Sequence, residues 1–236
     1  MSAREDSCHV LGRLLEVIVK WSEENLSRHG WFVSDPESYE WWGGFRDPFE
    51  ISVSAILVQL SRWEVVDEAL ERLRGNGLLN PYTLSEIDLE VVKKLVRGVG
   101  FYETKSMVLR EFSQLVVSRG GWNTFINRDL TEVREDLTSL RGVGPETADT
   151  ILLFAGNKPV LPVSRLARRV LSRIGLEIAR NYTEAQKLLE NCIPRNLRDY
   201  KTFHAALVSI AKTYCRIKKP LCVKCPLNTL CTFNIK

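Results

Sequence analysis

The chain has 236 residues, 44% of them hydrophobic and 26% charged, with six cysteines and a formal net charge of +4. That length supports one large domain or two modest ones with their own cores, and the composition excludes membrane-spanning and low-complexity classes. The net charge hides an asymmetry: residues 159–236 carry fifteen Lys/Arg against four Asp/Glu, a net of +11, which leaves −7 on residues 1–158. A basic C-terminal third suggests a polyanionic partner, since Lys and Arg gain by neutralising phosphates and releasing counterions. A solvated basic surface would give the same count.

Met1 to Asp6 are polar and charged, with no apolar signal stretch after them. The expectation is a protein that is not secreted, cytoplasmic in a prokaryote or otherwise intracellular. Leu11, Leu14, Leu15, Val17, Ile18 and Trp21 form an apolar stripe at helical spacing. A nearly all-apolar helix over Phe49–Leu60 follows Pro48, with Asp47 placed to cap it. Amphipathic helices are expected over Val65–Leu73, Ser85–Val96, Tyr102–Val117 and Leu130–Leu140, punctuated by Gly75, Gly77, Pro81, Gly98, Gly100 and Gly120-Gly121. No stretch alternates long enough to make a sheet, so the expected fold is all-α.

Leu140-Arg141-Gly142-Val143-Gly144-Pro145 lies between two helical segments. Gly142 and Gly144 permit a tight turn with outward N–H groups. The helix that starts at Pro145 adds the free N–H groups and dipole of its first turn, a favourable place for a phosphate. Thr147 and Ala148 are expected to pack the second helix. Near the C-terminus, Cys215, Cys222, Cys225 and Cys231 follow a C-x6-C-x2-C-x5-C spacing. In a reducing cytosol such a group reads as a metal site. With one C-x2-C knuckle and no close histidine, the spacing accommodates a [4Fe-4S] cluster or zinc. Cys8 and Cys192 have no partner spacing and read as small buried hydrophobes.

The L-x-G-V-G-x-x-T-A hairpin followed by the four cysteines resembles the helix-hairpin-helix DNA glycosylases of the endonuclease III type, over roughly residues 41 to 231. Glu146 to Ala155 and Trp41-Trp42 are most similar to the branch that includes bacterial 3-methyladenine glycosylases. The resemblance implies a [4Fe-4S] cluster on the four cysteines and a two-lobed all-α fold. Residues 41–158 would form a helical barrel lobe with the hairpin at about 130–156. Residues 1–40 and 159–236 would form an iron–sulfur lobe, with the cluster loop at 215–231. The implied partner is double-stranded DNA carrying a damaged base, bound by a monomer, with the base flipped into a pocket between lobes. Gln59, in Ala55-Ile56-Leu57-Val58-Gln59, resembles the glutamine that fills the gap left by the flipped base, and Gly100–Lys105 resembles a G-x-Y-x-x-K turn. Gly142, Val143, Gly144 and Thr147 would grip phosphate, with Arg165, Arg168 and Arg169 in support. Trp42, Trp63 and Tyr102 are candidates for the pocket.

In that family an aspartate in a V-D-x-x-x-x-R-V stretch stabilises charge on the sugar, and bifunctional members carry a Schiff-base lysine just after the hairpin. The matching positions here are Ser164, within Val163–Val170, and Glu146. A serine carries no charge at neutral pH, although it caps a helix as well as aspartate does. Without the lysine, Schiff-base strand cleavage from that position is excluded. Glu146 and Asp149 stand at i and i+3 on one helix, so either could supply the missing negative charge. The expectation is a monofunctional base-excision N-glycosylase for a damaged or alkylated base. The alternative is a catalytically silent protein that binds damaged or branched DNA, and a weaker reading makes the cluster a redox sensor of DNA binding.

Overall fold

The computed structural model describes residues 3–178 and 181–235. The described residues are all-α apart from one isolated antiparallel bridge between Trp31 and Trp42. None of these helices is long and apolar enough to cross a membrane. The chain divides into two compact units, Phe45–Lys158 and Met1–Gly44 with Pro159–Lys236. The first boundary falls after Gly44 rather than at residue 40. Trp41 and Trp42 are buried in the unit that holds both chain ends, where Trp42 meets Trp31 edge-on at 5.2 Å.

The central unit is built around α2 (Pro48–Leu57), in which every residue after Pro48 is buried. Asp47 caps it by accepting from Glu50 N at 2.9 Å, and Pro48 occupies the first turn, where its missing N–H costs nothing. Helices α3 (Trp63–Gly75), α6 (Tyr102–Ser118) and α9 (Pro145–Phe154) pack on it, with Phe49 stacked on Phe112 at 5.6 Å. Each fully buried Ile or Leu of this core contributes about 2 kcal/mol. The helix expected over Ser85–Val96 is two: α4 (Pro81–Glu86) and α5 (Leu89–Leu95). Asp88 explains the break. It is a poor interior residue but a strong cap, and its carboxylate accepts from Glu90 N at 2.7 Å. Short α7 (Trp122–Ile126) and then α8 (Leu130–Ser139) complete the unit.

The second unit joins the chain ends. Helix α12 (Leu197–Thr213) is buried from Tyr200 to Ala211 and packs against α1 (Ala3–Asn25) and α10 (Arg165–Arg173). Helix α11 (Tyr182–Cys192) also contacts α1. Here the reading of Cys8 and Cys192 as buried hydrophobes is overturned. They form a disulfide between α1 and the end of α11, with 4.8 Å between Cα atoms, and both residues are only partly buried. A pairing 184 residues apart in sequence is made by helix packing, and no spacing rule could reveal it.

Candidate functional site

The hairpin is α8, a five-residue turn and α9. Asp129 caps α8 through Thr131 N. Gly142 has φ +98, which an L side chain would adopt only under strain. Gly142 and Gly144 are exposed, and open space surrounds the position a Cβ would take at Gly144. No side chain caps α9, so the outer end of its first turn is left to solvent or a ligand. Val143 faces the other way. Its side chain is buried and its N–H donates to Leu140 O at 3.0 Å, so it anchors the turn from inside. Thr147 is also buried, in keeping with a packing role.

Asp149 is fully buried and takes a two-pronged ion pair from Arg134 on α8, Nε to Oδ1 at 2.6 Å and Nη2 to Oδ2 at 2.9 Å. That pair clamps the two hairpin helices together. Glu146, one turn earlier, is half-buried, and its carbonyl accepts from Thr150 Oγ1.

Ser164 begins α10. Its Oγ accepts from Ala167 N at 3.0 Å, it has extended backbone angles, and it is 3% exposed. Its position is set by the buried segment 160–163. Leu161 N donates to Glu190 Oε1 and Leu161 O accepts from Gln186 Nε2, both at 2.9 Å, while Val163 N donates to Tyr182 Oη at 3.2 Å. Three side chains of α11 therefore hold the lead-in to Ser164, and nothing in their spacing announced it.

The basic face of α10 is divided. Arg165 is exposed, and Arg168 lies over the Tyr182 ring at 5.8 Å. Arg169 points instead at backbone, donating to Ala211 O and Cys215 O at 3.0 and 2.8 Å, so it fixes the entry to the cysteine loop. Arg173 donates to Cys215 Sγ at 3.3 Å and to Arg216 O at 2.8 Å, and its guanidinium lies 4.4 Å from the Phe233 ring centroid. The four thiols of Cys215, Cys222, Cys225 and Cys231 line one small cavity together with Arg173, Tyr214, Asn228 and Phe233. Burial first, opposed by a hydrogen bond with the Leu227 backbone and aided by the three neighbouring sulfurs, pushes the Cys225 thiol up to about 11. Among the described residues no group of three or more His, Cys, Asp or Glu is arranged to hold a single metal ion. Four soft donors around one cavity, with a guanidinium beside one sulfur, nonetheless suit an anionic thiolate cluster in chemical kind.

Gln59, half-buried, lies in the loop after α2. The helix stops at Leu57, short of the expected Leu60, because the buried Lys105 ammonium takes the carbonyls of Leu57 and Gln59 at 2.8 and 2.5 Å. Of the pocket candidates, Trp63 and Tyr102 are partly buried in the central unit, Trp63 with its ring 6.1 Å from Phe45, whereas Trp42 belongs to the core of the other unit. Arg134, Tyr182 and Arg173 are the positioning residues that sequence reasoning missed, and Lys105 was read only as the end of the G-x-Y-x-x-K turn, without its contacts.

Residues 53–195 match the family model described as HhH-GPD superfamily base excision DNA repair protein. The chain belongs to this superfamily. Within it, the chain is 34% identical over 196 residues to the DNA repair glycosylase candidate MJ1434 of Methanocaldococcus jannaschii, covering 81% of this chain and 88% of that protein. It is 29% identical to a thymine/uracil-DNA glycosylase of Pyrobaculum aerophilum, over 83% of this chain and 84% of the other. In fold it is similar to the protein in a non-covalent endonuclease III–DNA complex, with a TM-score of 0.75, 21% identity and coverage of 97% and 96%. The HhH-GPD match spans the hairpin, Ser164 and the α10 arginines, but not the cysteine loop.

Proposed function

We propose that this HhH-GPD protein is a monofunctional DNA N-glycosylase that removes a damaged or alkylated base by hydrolysis. The observation that carries the reading is the hairpin itself: an exposed glycine turn leading into an uncapped helix, in a chain of base-excision repair ancestry. Exposed Gly142 and Gly144 and the first turn of α9 bind a phosphate of the duplex. Gln59 occupies the space that the flipped base leaves.

Breaking the glycosidic bond builds positive charge on the sugar, which a nearby carboxylate stabilises. Ser164 cannot supply that charge, and its oxygen is engaged as the cap of α10. Asp149 already balances Arg134. Glu146, half-buried in the first turn of α9 at the position of the family's lysine, is the carboxylate assigned to that role. A base alkylated on a ring nitrogen is already cationic and leaves as a neutral molecule, so it needs the least help, which favours such substrates. With Glu at the position of the family's lysine, no amine there can form a Schiff base.

The four cysteines would hold a [4Fe-4S] cluster, with Arg173 beside Cys215. Such a cluster supplies structural cross-linking of its loop and, where a partner exchanges electrons, a one-electron couple. The loop carries Arg216, Lys218, Lys219 and Lys224 and would be presented to DNA as a folded unit.

The test is the single-turnover rate of base release from duplexes carrying methylated purines, uracil, thymine mismatches or oxidised bases, for the wild type, Glu146→Gln and Ser164→Asp. Loss of about a hundredfold or more in Glu146→Gln supports the assignment. Tight duplex binding with no release by any of the three proteins would favour the silent binding protein that an uncharged Ser164 also fits.

A further inference from the structure

Cys8 and Cys192 form a disulfide in a protein whose proposed partner, DNA, is kept with thiol pools that reduce accessible disulfides. Both residues are partly exposed, so a small thiol can reach the bond. Its place in the fold gives the bond leverage. Cys192 is the last residue of α11, and α1, which carries Cys8, is the helix on which α11 chiefly packs. Tyr182, Gln186 and Glu190 stand at i, i+4 and i+8 on one face of α11. Glu190 and Gln186 hold the two backbone groups of Leu161, and Tyr182 Oη holds Val163 N, directly before Ser164. Arg168 of α10 also lies over the Tyr182 ring, 5.8 Å from its centroid. Within α11 only Ala185, Gln186 and Leu189 are buried, so little apolar packing of its own fixes the helix. A cross-link at its final residue therefore decides how firmly those three side chains are held.

We infer that the Cys8–Cys192 disulfide is a redox switch on the approach to Ser164. Oxidised, it locks α11 against α1 and holds residues 161–164 and Arg168 in place; reduced, it lets α11 loosen and slows base release. The effect on base release rests on the DNA-repair reading above. The step is thiol–disulfide exchange. The thiolate of a low-molecular-weight thiol attacks one Sγ, the S–S bond breaks and a mixed disulfide forms. A second thiol then displaces the protein sulfur. One small disulfide leaves, and the protons of the two attacking thiols end on Cys8 and Cys192. Exchange with the small disulfide in the reverse direction restores the bond. The thiols of Cys215, Cys222, Cys225 and Cys231 are a separate set, and neither Cys8 nor Cys192 lines their cavity.

The test equilibrates wild type and the Cys8→Ser/Cys192→Ser double variant with reduced or oxidised glutathione, removes it anaerobically, and compares the proteins by amide hydrogen exchange and by single-turnover base release at saturating duplex. Reduction of the wild type should speed exchange at the Leu161 and Val163 amides about tenfold. It should slow base release about tenfold, since a small misplacement of positioning groups is enough for that. The double variant should match reduced wild type in both buffers. Oxidised Tyr182→Phe should already release base slowly and lose less than wild type on reduction, because bond and side chain act on one segment. A bond that served global stability alone would give additive losses. The inference is overturned if glutathione leaves the bond intact, if reduced and oxidised wild type exchange and release alike, or if the double variant still responds to the buffer. A wild type that releases no base in either state overturns the repair reading alone, and exchange at Leu161 and Val163 then decides the switch.

Discussion

Arg134 and Asp149 are the pair on which the hairpin depends most. The carboxylate is fully buried and the guanidinium about one-third exposed. Removing the cation would leave an uncompensated buried charge, so Arg134→Met should cost about 3–5 kcal/mol in urea unfolding. A loss below about 1 kcal/mol would show that the clamp is dispensable. Ser164→Asp should behave differently, because serine and aspartate cap helices comparably. Its stability should stay within about 1 kcal/mol of wild type, while base release rises if the missing charge is what limits the rate. Residue identities at the family positions were legible in the sequence, since Ser164 and Glu146 stand in recognisable strings. What Asp149 does was not legible. Its partner lies fifteen residues upstream on another helix, beyond the i+3 and i+4 neighbours that a helical pattern exposes.

Helices were legible wherever a cap and an apolar face coincided, as at Asp47-Pro48 and in the hairpin, and less so where a polar residue inside a periodic run prefers to cap, as at Asp88. Contacts between distant elements leave no local trace. The Cys8–Cys192 disulfide is the strongest case, and it fastens α1 to α11, the helix whose Gln186, Glu190 and Tyr182 hold the approach to Ser164. Closing so long a loop constrains the unfolded chain, so the Cys8→Ser/Cys192→Ser double variant should be about 2–4 kcal/mol less stable. That corresponds to a melting temperature lower by roughly 5–10 °C. An unchanged melting temperature would mean that the bond adds nothing to helix packing. Neither substitution touches the four thiols of the C-terminal loop, so the cluster proposed there should load equally in both proteins.

For the molecule as a whole, buried charge predicts how stability depends on pH. His204 sits inside the unit built from both chain ends, edge-on to Trp31 at 5.9 Å. Burial first, opposed by a hydrogen bond with the Pro162 backbone and aided by Lys212, pulls its pKa down to about 4 from 6.5. The unfolded state therefore binds this proton first as pH falls. The contribution is intact above pH 6.5 and is lost as pH drops toward 4, by about 2 kcal/mol between pH 7 and pH 5. His204→Asn should flatten that part of the profile in urea titrations, and a profile as steep as that of wild type would contradict the assignment. The all-α class and the superfamily were readable from periodicity and two motifs, whereas the side chains that aim the site, Lys105, Tyr182 and Arg173, became visible only once the helices were packed. Hydrolysis without a covalent intermediate is the central proposal for this protein. Its most direct measurement is chromatography of free base from lesion-bearing duplexes, with the strands examined before and after alkali and with borohydride present. Free base, strands that break only after alkali and no trapped protein–DNA adduct are the predicted result. A borohydride-trapped adduct, or tight binding with no free base from any duplex, would contradict it.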